Sequence, residues 1–208
     1  MRITAVGNGK INRRDEVLEI AASLFATRGY ATTSIRDIAQ HVGILSGSLY
    51  HHFASKEEIL LEAHARGVAQ AEVAVEQAIA KAEDRPWPRL AAACRAHLEV
   101  LLGPSPFSDV ITSHFPRNFE GVTREKLLQR RDGYETIFRG LVEALPLPEG
   151  VNRRHLRLAL LGGLNWTPTW YQAAGEDTPA SIAAGFVDVL RLQLDPDVVE
   201  SARGFRVL

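Results

Sequence analysis

The stretch "SGSLYHHF" at residues 46–53 holds the side chains best suited to bind a partner. Two serines flank a glycine, and an aromatic hydroxyl and two adjacent histidines follow. Histidine is a common metal ligand, which raises the question of a metal site. His51 and His52 would point about 100° apart on a helix, and no Cys or carboxylate stands at ligand spacing, so a metal site is disfavoured. The small residues instead indicate a helix end that a large partner approaches closely.

The residues upstream indicate how this stretch is positioned. Ser34 followed by Asp37 resembles a capping box that begins a helix, and Gly43 ends it. Two helices that cross through a tight turn need a small residue, a residue tolerant of positive φ, and an apolar residue that packs back. Ala39, Gly43 and Leu49 supply these in order. The spacing therefore predicts a helix-turn-helix motif, whose second helix enters a DNA major groove.

The predicted second helix covers about residues 46–52 and places its small residues at the end that meets the bases. Its N-terminus carries a partial positive charge that favours phosphate. Tyr50 can donate its hydroxyl to a phosphate, and Lys56 offers a salt-sensitive phosphate contact. The stretch is therefore interpreted as a DNA-contacting surface.

The run "RGYATTSIRDIAQHVGILSGSLYHHFASKEEIL" resembles the DNA-binding domain of the TetR family of bacterial transcriptional regulators, over roughly residues 13–61. The resemblance implies a homodimer on a palindromic operator, usually repressing, with release by a small molecule bound in the C-terminal body. It also implies that Thr33 and Ser34 approach phosphates. The predicted DNA-binding residues are Thr33, Ser34, Arg36, Leu45, Ser46, Gly47, Ser48, Tyr50, His51 and Lys56.

Leu45 departs from the family pattern, which usually has Ser or Thr at this position as the helix cap. Leucine cannot cap a helix. Either Ser46 takes that role one residue later, or the helix end is uncapped at a cost of about 1 kcal/mol. Alternatively, Leu45 contacts a thymine methyl group at a base edge.

Helical periodicity continues through the chain without convincing strand alternation, which predicts an all-α fold. A three-helix head is joined by a long helix, capped by Ser55, to a helical body. "DRPWP" breaks the chain because proline does not fit inside a helix. We place the N-terminal arm and DNA-binding domain in residues 1–56 and the ligand-binding and dimerisation domain in residues 57–208. The predicted helices of the body lie at about 89–102, 107–118, 123–145, 152–173 and 179–194.

Two apolar stripes lie on the last two predicted helices, and the pair Gly162-Gly163 allows close helix approach. Apolar helices in series near the C-terminus favour an intermolecular four-helix bundle, although both stripes are alternatively core. The predicted dimer-interface residues are Leu156, Leu160, Gly163, Thr167, Trp170, Ile182, Phe186, Val189 and Gln193.

The run "NWTPTWY" resembles the body of TetR-type regulators that sense acyl-coenzyme A or related lipid and aromatic catabolites. Pro168 departs from that pattern and predicts a kink, which opens a ligand cavity or reorients the dimer helix. The aromatic residues here stack on a ligand or fill an interface. The predicted ligand-binding residues are Trp87, Phe107, His114, Phe115, Arg117, Phe138, Asn165, Trp166 and Trp170, with Arg153 or Arg154 also available for an anionic group.

Composition narrows the function further. Residues 1–56 carry seven Lys and Arg against four Asp and Glu, although the 208-residue chain has a net charge of −1, which suits a polyanion-binding head on an acidic body. The single cysteine excludes an intrachain disulfide and indicates a reducing cytoplasm. No membrane span, Gly-rich phosphate loop, G-x-S-x-G or H-E-x-x-H motif is present, so we expect neither an enzyme nor a cofactor.

The sequence therefore predicts a cytoplasmic DNA-binding regulator, most simply a repressor, that responds to an apolar or amphipathic effector such as an acyl-coenzyme A. Two alternatives stay open at this point. An activator would have the same parts, and a helical small-molecule-binding protein or enzyme could retain the head as scaffold.

Overall fold

The structure, a computed structural model, describes residues 13–111, 119–195 and 198, and these residues form eight α-helices and no strand. The all-α prediction is confirmed. The predicted N-terminal arm lies outside the described residues. The head contains α1 (Arg13–Arg28), α2 (Ile35–Val42) and α3 (Ser46–Leu49), and α4 (Lys56–Lys81) leads from it into a body of α5 (Pro86–Leu101), α6 (Gly121–Glu143), α7 (Arg153–Trp166) and α8 (Pro179–Leu194).

Local hydrogen bonds set the helix ends of the head as the sequence predicts. The Ser34 hydroxyl accepts from the Asp37 backbone N–H at 3.1 Å, and the Asp37 carboxylate accepts from the Ser34 N–H at 2.7 Å. Gly43 ends α2 at φ 75°, a left-handed conformation that side chains disfavour. The Ser55 hydroxyl accepts from the Glu58 N–H and begins α4. The turn between α2 and α3 is therefore specified by its own residues.

Proline placement changes two predicted boundaries. α5 begins at Pro86 rather than near residue 89, because a proline in the first helical turn removes only an N–H that has no helical partner. α7 ends at Trp166, and a 3₁₀ turn over Thr167–Thr169 follows, so Pro168 terminates the helix instead of kinking it. α3 is also shorter than predicted, and within the described part of 107–118 only a 3₁₀ turn over Asp109–Ile111 forms.

Two apolar clusters stabilise the chain. The body cluster is centred on α5 and includes Leu90, Leu98, Phe138 and Leu164. The head cluster combines residues of α1 to α4 with four side chains from much later in the sequence. The boundary predicted at residue 56 therefore divides a continuous core. The later side chains in the head cluster are Phe107, Val110, Phe119 and Leu127.

The 3₁₀ turn over Asp109–Ile111 lies where the two clusters meet. Ile111 packs against both of them. Gly67 of α4 faces this turn so closely that an added Cβ would stand 2.5 Å from the Cγ2 of Ile111 and 3.1 Å from the Cβ of Phe107. Only glycine lets α4 pass the turn at this distance. Among the described helices, none is both long and apolar enough to span a membrane.

Candidate functional sites

Helix α3 presents a surface that is free of the head core. Leu49 and Phe53 are buried beneath it, whereas Leu45 is 80% exposed and Tyr50 57% exposed. Gly47 is exposed, and no atom lies within 4 Å of where its Cβ would be. Ser46 and Ser48 are half-buried, and His51 is exposed. The small residues and their aromatic neighbours therefore lie on an open face, as the sequence predicts.

Leu45 is the N-cap residue of α3, in an extended backbone conformation and without a side-chain capping bond. Of the alternatives weighed from the sequence, the structure has the uncapped helix end. A large apolar side chain that is mostly exposed gains little within the protein itself. Its position at the start of α3 suits an apolar contact with a partner.

Two residues predicted to contact phosphate point inward instead. Thr33 is buried, and its hydroxyl donates to the Gly29 carbonyl at 2.8 Å. The Lys56 ammonium donates to the Tyr30 and Thr33 carbonyls, each at 2.8 Å, and lies 4.2 Å above the Tyr30 ring. Burial lowers the pKa of Lys56. Both residues therefore hold the connection between α1 and α2, and the buried Thr33 corrects the sequence-based assignment.

Replacing Lys56 with Met tests this positioning role, because Met keeps an apolar stem and removes the charged donor. We expect the free energy of unfolding to fall by about 2 kcal/mol, since two backbone carbonyls lose a charge-assisted hydrogen bond. DNA affinity should fall while its dependence on salt concentration stays unchanged. Urea unfolding and DNA titration at several salt concentrations measure both, with the exposed Lys81→Met as control. A salt slope reduced by about one would instead identify Lys56 as a phosphate contact.

The body contains a cavity of about 40 Å³ between α4, α5, α6 and α7. Six of its lining residues are apolar and six are polar, with one polar side chain each from α4, α5 and α7 and three from α6. Of the residues predicted to bind ligand, Asn165 lines this cavity. The lining comprises His64, Val68, Ala71, His97, Val100, Leu101, Ile111, Arg131, Tyr134, Glu135, Leu161 and Asn165.

The other predicted ligand residues lie elsewhere. Phe138 makes a T-shaped contact with the His97 ring, with the centroids 5.7 Å apart. Trp87 is part of the body cluster, and Phe107 is part of the head cluster. Trp166 and Trp170 are exposed. His114, Phe115 and Arg117 lie outside the described residues. Among the predicted ligand residues that the structure describes, Asn165 is thus the one that lines this cavity.

Two buried histidines are the main polar feature of the cavity. The Nδ1 atom of His97 lies 2.8 Å from the Tyr134 hydroxyl oxygen, while His97 Nε2 and His64 Nδ1 have no hydrogen-bond partner in the described structure. Burial lowers the pKa of each imidazole to about 4. The positive charge of nearby Arg130 lowers the pKa of His64 further, whereas the neighbouring Asn165 side chain acts in the opposite direction on the pKa of His97. Both rings are therefore neutral at pH 7.

The sequence-based prediction missed His64, His97 and Tyr134. The available signal was weak, because each is a single polar residue on an otherwise apolar helix face. Such a residue is more often satisfied inside a core than used in a site. Only the packing of four helices shows that these three line one cavity.

Ion pairs close one side of this cavity. Arg157, which is almost fully buried, pairs with Glu135, and Arg131 lies 3.6 Å from the same carboxylate. Arg131 also donates to Asp132 at 2.9 Å. Arg131 and Arg157, the two cations described at this wall, are therefore paired within the protein.

The predicted dimer-interface residues separate into two groups. Leu160, Thr167 and Ile182 are buried within the protomer, and the Phe186 ring fills the space beside Gly163, 2.7 Å from where its Cβ would be. These residues pack α7 onto the protomer's own core, which corrects their assignment. Leu156 is half-buried, and Trp170, Val189 and Gln193 are exposed. The exposed large apolar residues of this region are Leu158, Trp166, Trp170, Val189 and Leu192.

The described residues give little support for a metal site or a reactive cysteine. Over 13–111, 119–195 and 198, no group of three or more His, Cys, Asp or Glu side chains is arranged to hold a metal ion. Cys94 is buried, and this burial raises the pKa of its thiol to about 12, so the reactive thiolate is strongly disfavoured.

Comparison with known families gives two matches. Residues 17–63 match the family described as bacterial regulatory proteins, tetR family, and residues 83–194 match the tetracyclin repressor-like C-terminal domain. The first match contains α2, α3 and their turn. The second contains every helix that lines the cavity except α4.

Individual proteins agree with these matches. The HTH-type transcriptional repressor KstR2 of Mycobacterium tuberculosis is 64% identical over 55 residues, which cover 26% of this chain and 28% of that protein. This chain thus matches only about a quarter of the length of that curated relative.

Two solved structures extend the similarity to the body. PfmR, a TetR family transcriptional regulator from Thermus thermophilus, is 29% identical with a TM-score of 0.71, covering 84% of this chain and 96% of that one. AibR in complex with isovaleryl coenzyme A and operator DNA is 26% identical with a TM-score of 0.76, covering 86% of this chain and 97% of that one.

Proposed function

Because the chain belongs to the TetR family, whose members are transcriptional regulators rather than enzymes, we propose that it is a repressor that binds a palindromic operator as a homodimer. We further propose that an apolar or amphipathic effector, such as an acyl-coenzyme A, releases it from DNA. The observation that carries the proposal is the open face of α3 within the segment that matches the tetR family, in a chain that is 64% identical over 55 residues to a named repressor. AibR, which was solved with an acyl-coenzyme A and operator DNA, supports the effector class.

The proposed DNA contacts follow the exposure of the head. Gly47 allows the α3 backbone to approach base edges, and Tyr50 reaches a phosphate. Leu45 contacts a thymine methyl group, which accounts for an exposed leucine at an uncapped helix end. The proposed set is Ser34, Arg36, Leu45, Ser46, Gly47, Ser48, Tyr50 and His51.

A second copy of the chain is the proposed partner of the exposed apolar surface on α7 and α8. Trp166, Val189 and Leu192 are each more than half exposed, although the rest of both helices packs inward. Exposed small residues, among them Gly162 and Ala184, permit two such helix pairs to approach closely. The result is a four-helix bundle about a two-fold axis.

The 3₁₀ turn over Asp109–Ile111 provides the route from effector to DNA. Ile111 lines the cavity, while Phe107 and Val110 are buried in the head cluster. A small-molecule pocket has roughly 300–1,000 Å³, so an effector must push the walls of this 40 Å³ cavity apart. Displacing Ile111 then shifts the turn and with it the head. The effector thereby favours a geometry in which two α3 helices no longer match successive major grooves.

Replacing Gly47 with Glu tests the proposed DNA surface. We expect at least a hundredfold loss of affinity for the preferred duplex, because a carboxylate there blocks close approach and repels phosphate. The fold should be unaffected, since no atom lies near the new Cβ. The duplex is first selected from a random-sequence library with the unaltered protein, and binding is then measured at fixed salt.

Gly133→Glu is the matched control, because Gly133 is also an exposed helical glycine with open space around it, but on α6. It should bind DNA like the unaltered protein. Full affinity in Gly47→Glu would refute α3 as the recognition helix. Failure of the library to yield any salt-sensitive preferred duplex would refute the proposed function.

A further inference from the structure

We propose that the cavity recognises a neutral carbonyl oxygen of the effector through the Nε2–H of His97, with His64 lining the same cavity. The ligand class is a thioester, ester or ketone that carries an apolar chain. This inference rests on the proposed effector-binding function of the same cavity and specifies its chemistry.

The first argument is that both histidines have an unused polar atom. His97 is 7% exposed and His64 is 2% exposed, and both line the cavity. Asn165 lies near enough to His97 to oppose the lowering of its pKa, but neither His97 Nε2 nor His64 Nδ1 makes a hydrogen bond of normal geometry within the described residues. Buried polar atoms are almost always paired, because an unpaired one costs about 1–3 kcal/mol. Two such atoms at one cavity point to a polar group on a ligand.

The second argument fixes which kind of polar group it is. Tyr134 is buried, and the His97 Nδ1 atom, 2.8 Å away, is the acceptor within reach of its hydroxyl in the described structure. The phenol is the stronger donor of the two, so it donates its proton to Nδ1. A neutral imidazole that accepts at Nδ1 carries its own proton on Nε2. The cavity therefore presents an N–H donor, which calls for an oxygen acceptor.

The third argument favours a neutral acceptor over a carboxylate. Arg131 is paired with Asp132 and Glu135, and Arg157 is paired with Glu135. Among the described side chains of this wall, a buried carboxylate would find no unpaired cation, and it would lie near the Glu135 charge at a large desolvation cost. A carbonyl needs only the N–H donor. The apolar side chains Val68, Ala71, Val100 and Leu101 surround the chain that follows it.

The experiment compares ligands that differ in one oxygen. Butyryl-, octanoyl- and dodecanoyl-coenzyme A are each titrated against the full-length protein by calorimetry, beside the matching S-alkyl thioethers, which lack the carbonyl. We expect the best thioester to bind at least tenfold more tightly than its thioether, and the corresponding free fatty acid to bind more weakly than the thioester. Equal binding of thioester and thioether would overturn the carbonyl assignment while leaving the effector site intact.

Variants assign the effect to the named residues. His97→Phe should reduce the thioester preference to less than twofold, and His97→Gln, which keeps an N–H donor, should restore part of it. Tyr134→Phe should lower the preference without abolishing binding, because the Tyr134 hydroxyl positions the His97 proton while His97 itself keeps a ring N–H. His41→Gln in the head is the control, and thermal unfolding confirms that each variant is folded. An unchanged preference in His97→Phe would contradict the proposal.

Two further outcomes separate this inference from the proposed function. If no thioester binds, the proposed coenzyme A class fails, and methyl octanoate against octyl methyl ether then decides the carbonyl assignment. If the fatty acid binds as tightly as the thioester, recognition of a neutral group is wrong.

Discussion

Lowering the pH from 7 to 4 is expected to reduce the free energy of unfolding by about 6 kcal/mol through two histidines alone. The pKa of His64 and that of His97 are each about 4 in the folded protein, against 6.5 for an unperturbed imidazole. Between these values the unfolded chain binds protons that the folded chain does not. The contribution, about 3 kcal/mol per histidine, is therefore complete above pH 6.5 and is lost as the pH falls toward 4.

Urea unfolding at a series of pH values across this range measures the effect. The double variant His64→Leu/His97→Phe serves as the reference, because it keeps every other titrating group. Its stability should change much less with pH, whatever its absolute stability. Equal pH dependence in the two proteins would show that neither histidine is held neutral by burial.

Gly67→Val is expected to lower the free energy of unfolding by about 3 kcal/mol, because the new side chain overpacks a contact that has no room. Even a Cβ would stand 2.5 Å from the Ile111 Cγ2 and 3.2 Å from the Phe107 carbonyl oxygen. The carbonyl is backbone and cannot rotate away. α4 and the 3₁₀ turn must separate, and the turn carries residues of the head cluster.

Gly133→Ala is the informative comparison, since both glycines lie inside long helices and only one is crowded. No atom lies within 4 Å of the Gly133 Cβ position, so alanine should stabilise the protein by about 0.5–1 kcal/mol. Gly67→Ala should be destabilising despite the same gain in helix propensity. Denaturant unfolding of the three variants tests this, and stabilisation by Gly67→Ala would contradict the described approach of α4 to the turn.

Local chemistry made the head predictable from the sequence. The Ser34–Asp37 capping box, the left-handed Gly43 and the Ser55 cap involve residues at most three apart or a single backbone conformation. All the residues that form such a cap or turn lie within a few positions of each other in the sequence. They can therefore be interpreted without knowledge of the fold. The same reasoning identified Leu45 as a residue that cannot cap its helix.

The features that the sequence did not predict depend on contacts between residues that are far apart in the chain. Lys56 binds carbonyls 23 and 26 residues away, and His97 meets Tyr134 across 37 residues. An apolar stripe shows that one helix face is covered, but not whether its own protomer or a partner covers it. For this reason Leu160 and Ile182 were assigned to the dimer although they belong to the body cluster.

The completion of the head cluster by Phe107, Val110, Phe119 and Leu127 has a consequence for engineering hybrid regulators. A chimera that joins the first 63 residues of this chain to another regulator's body keeps α3 but loses four side chains of the core that supports it. The donor fragment must also bring the segment around residues 107–127, or a body whose matching segment is compatible. A single crossover after the head therefore works only with a body whose segment completes this head core.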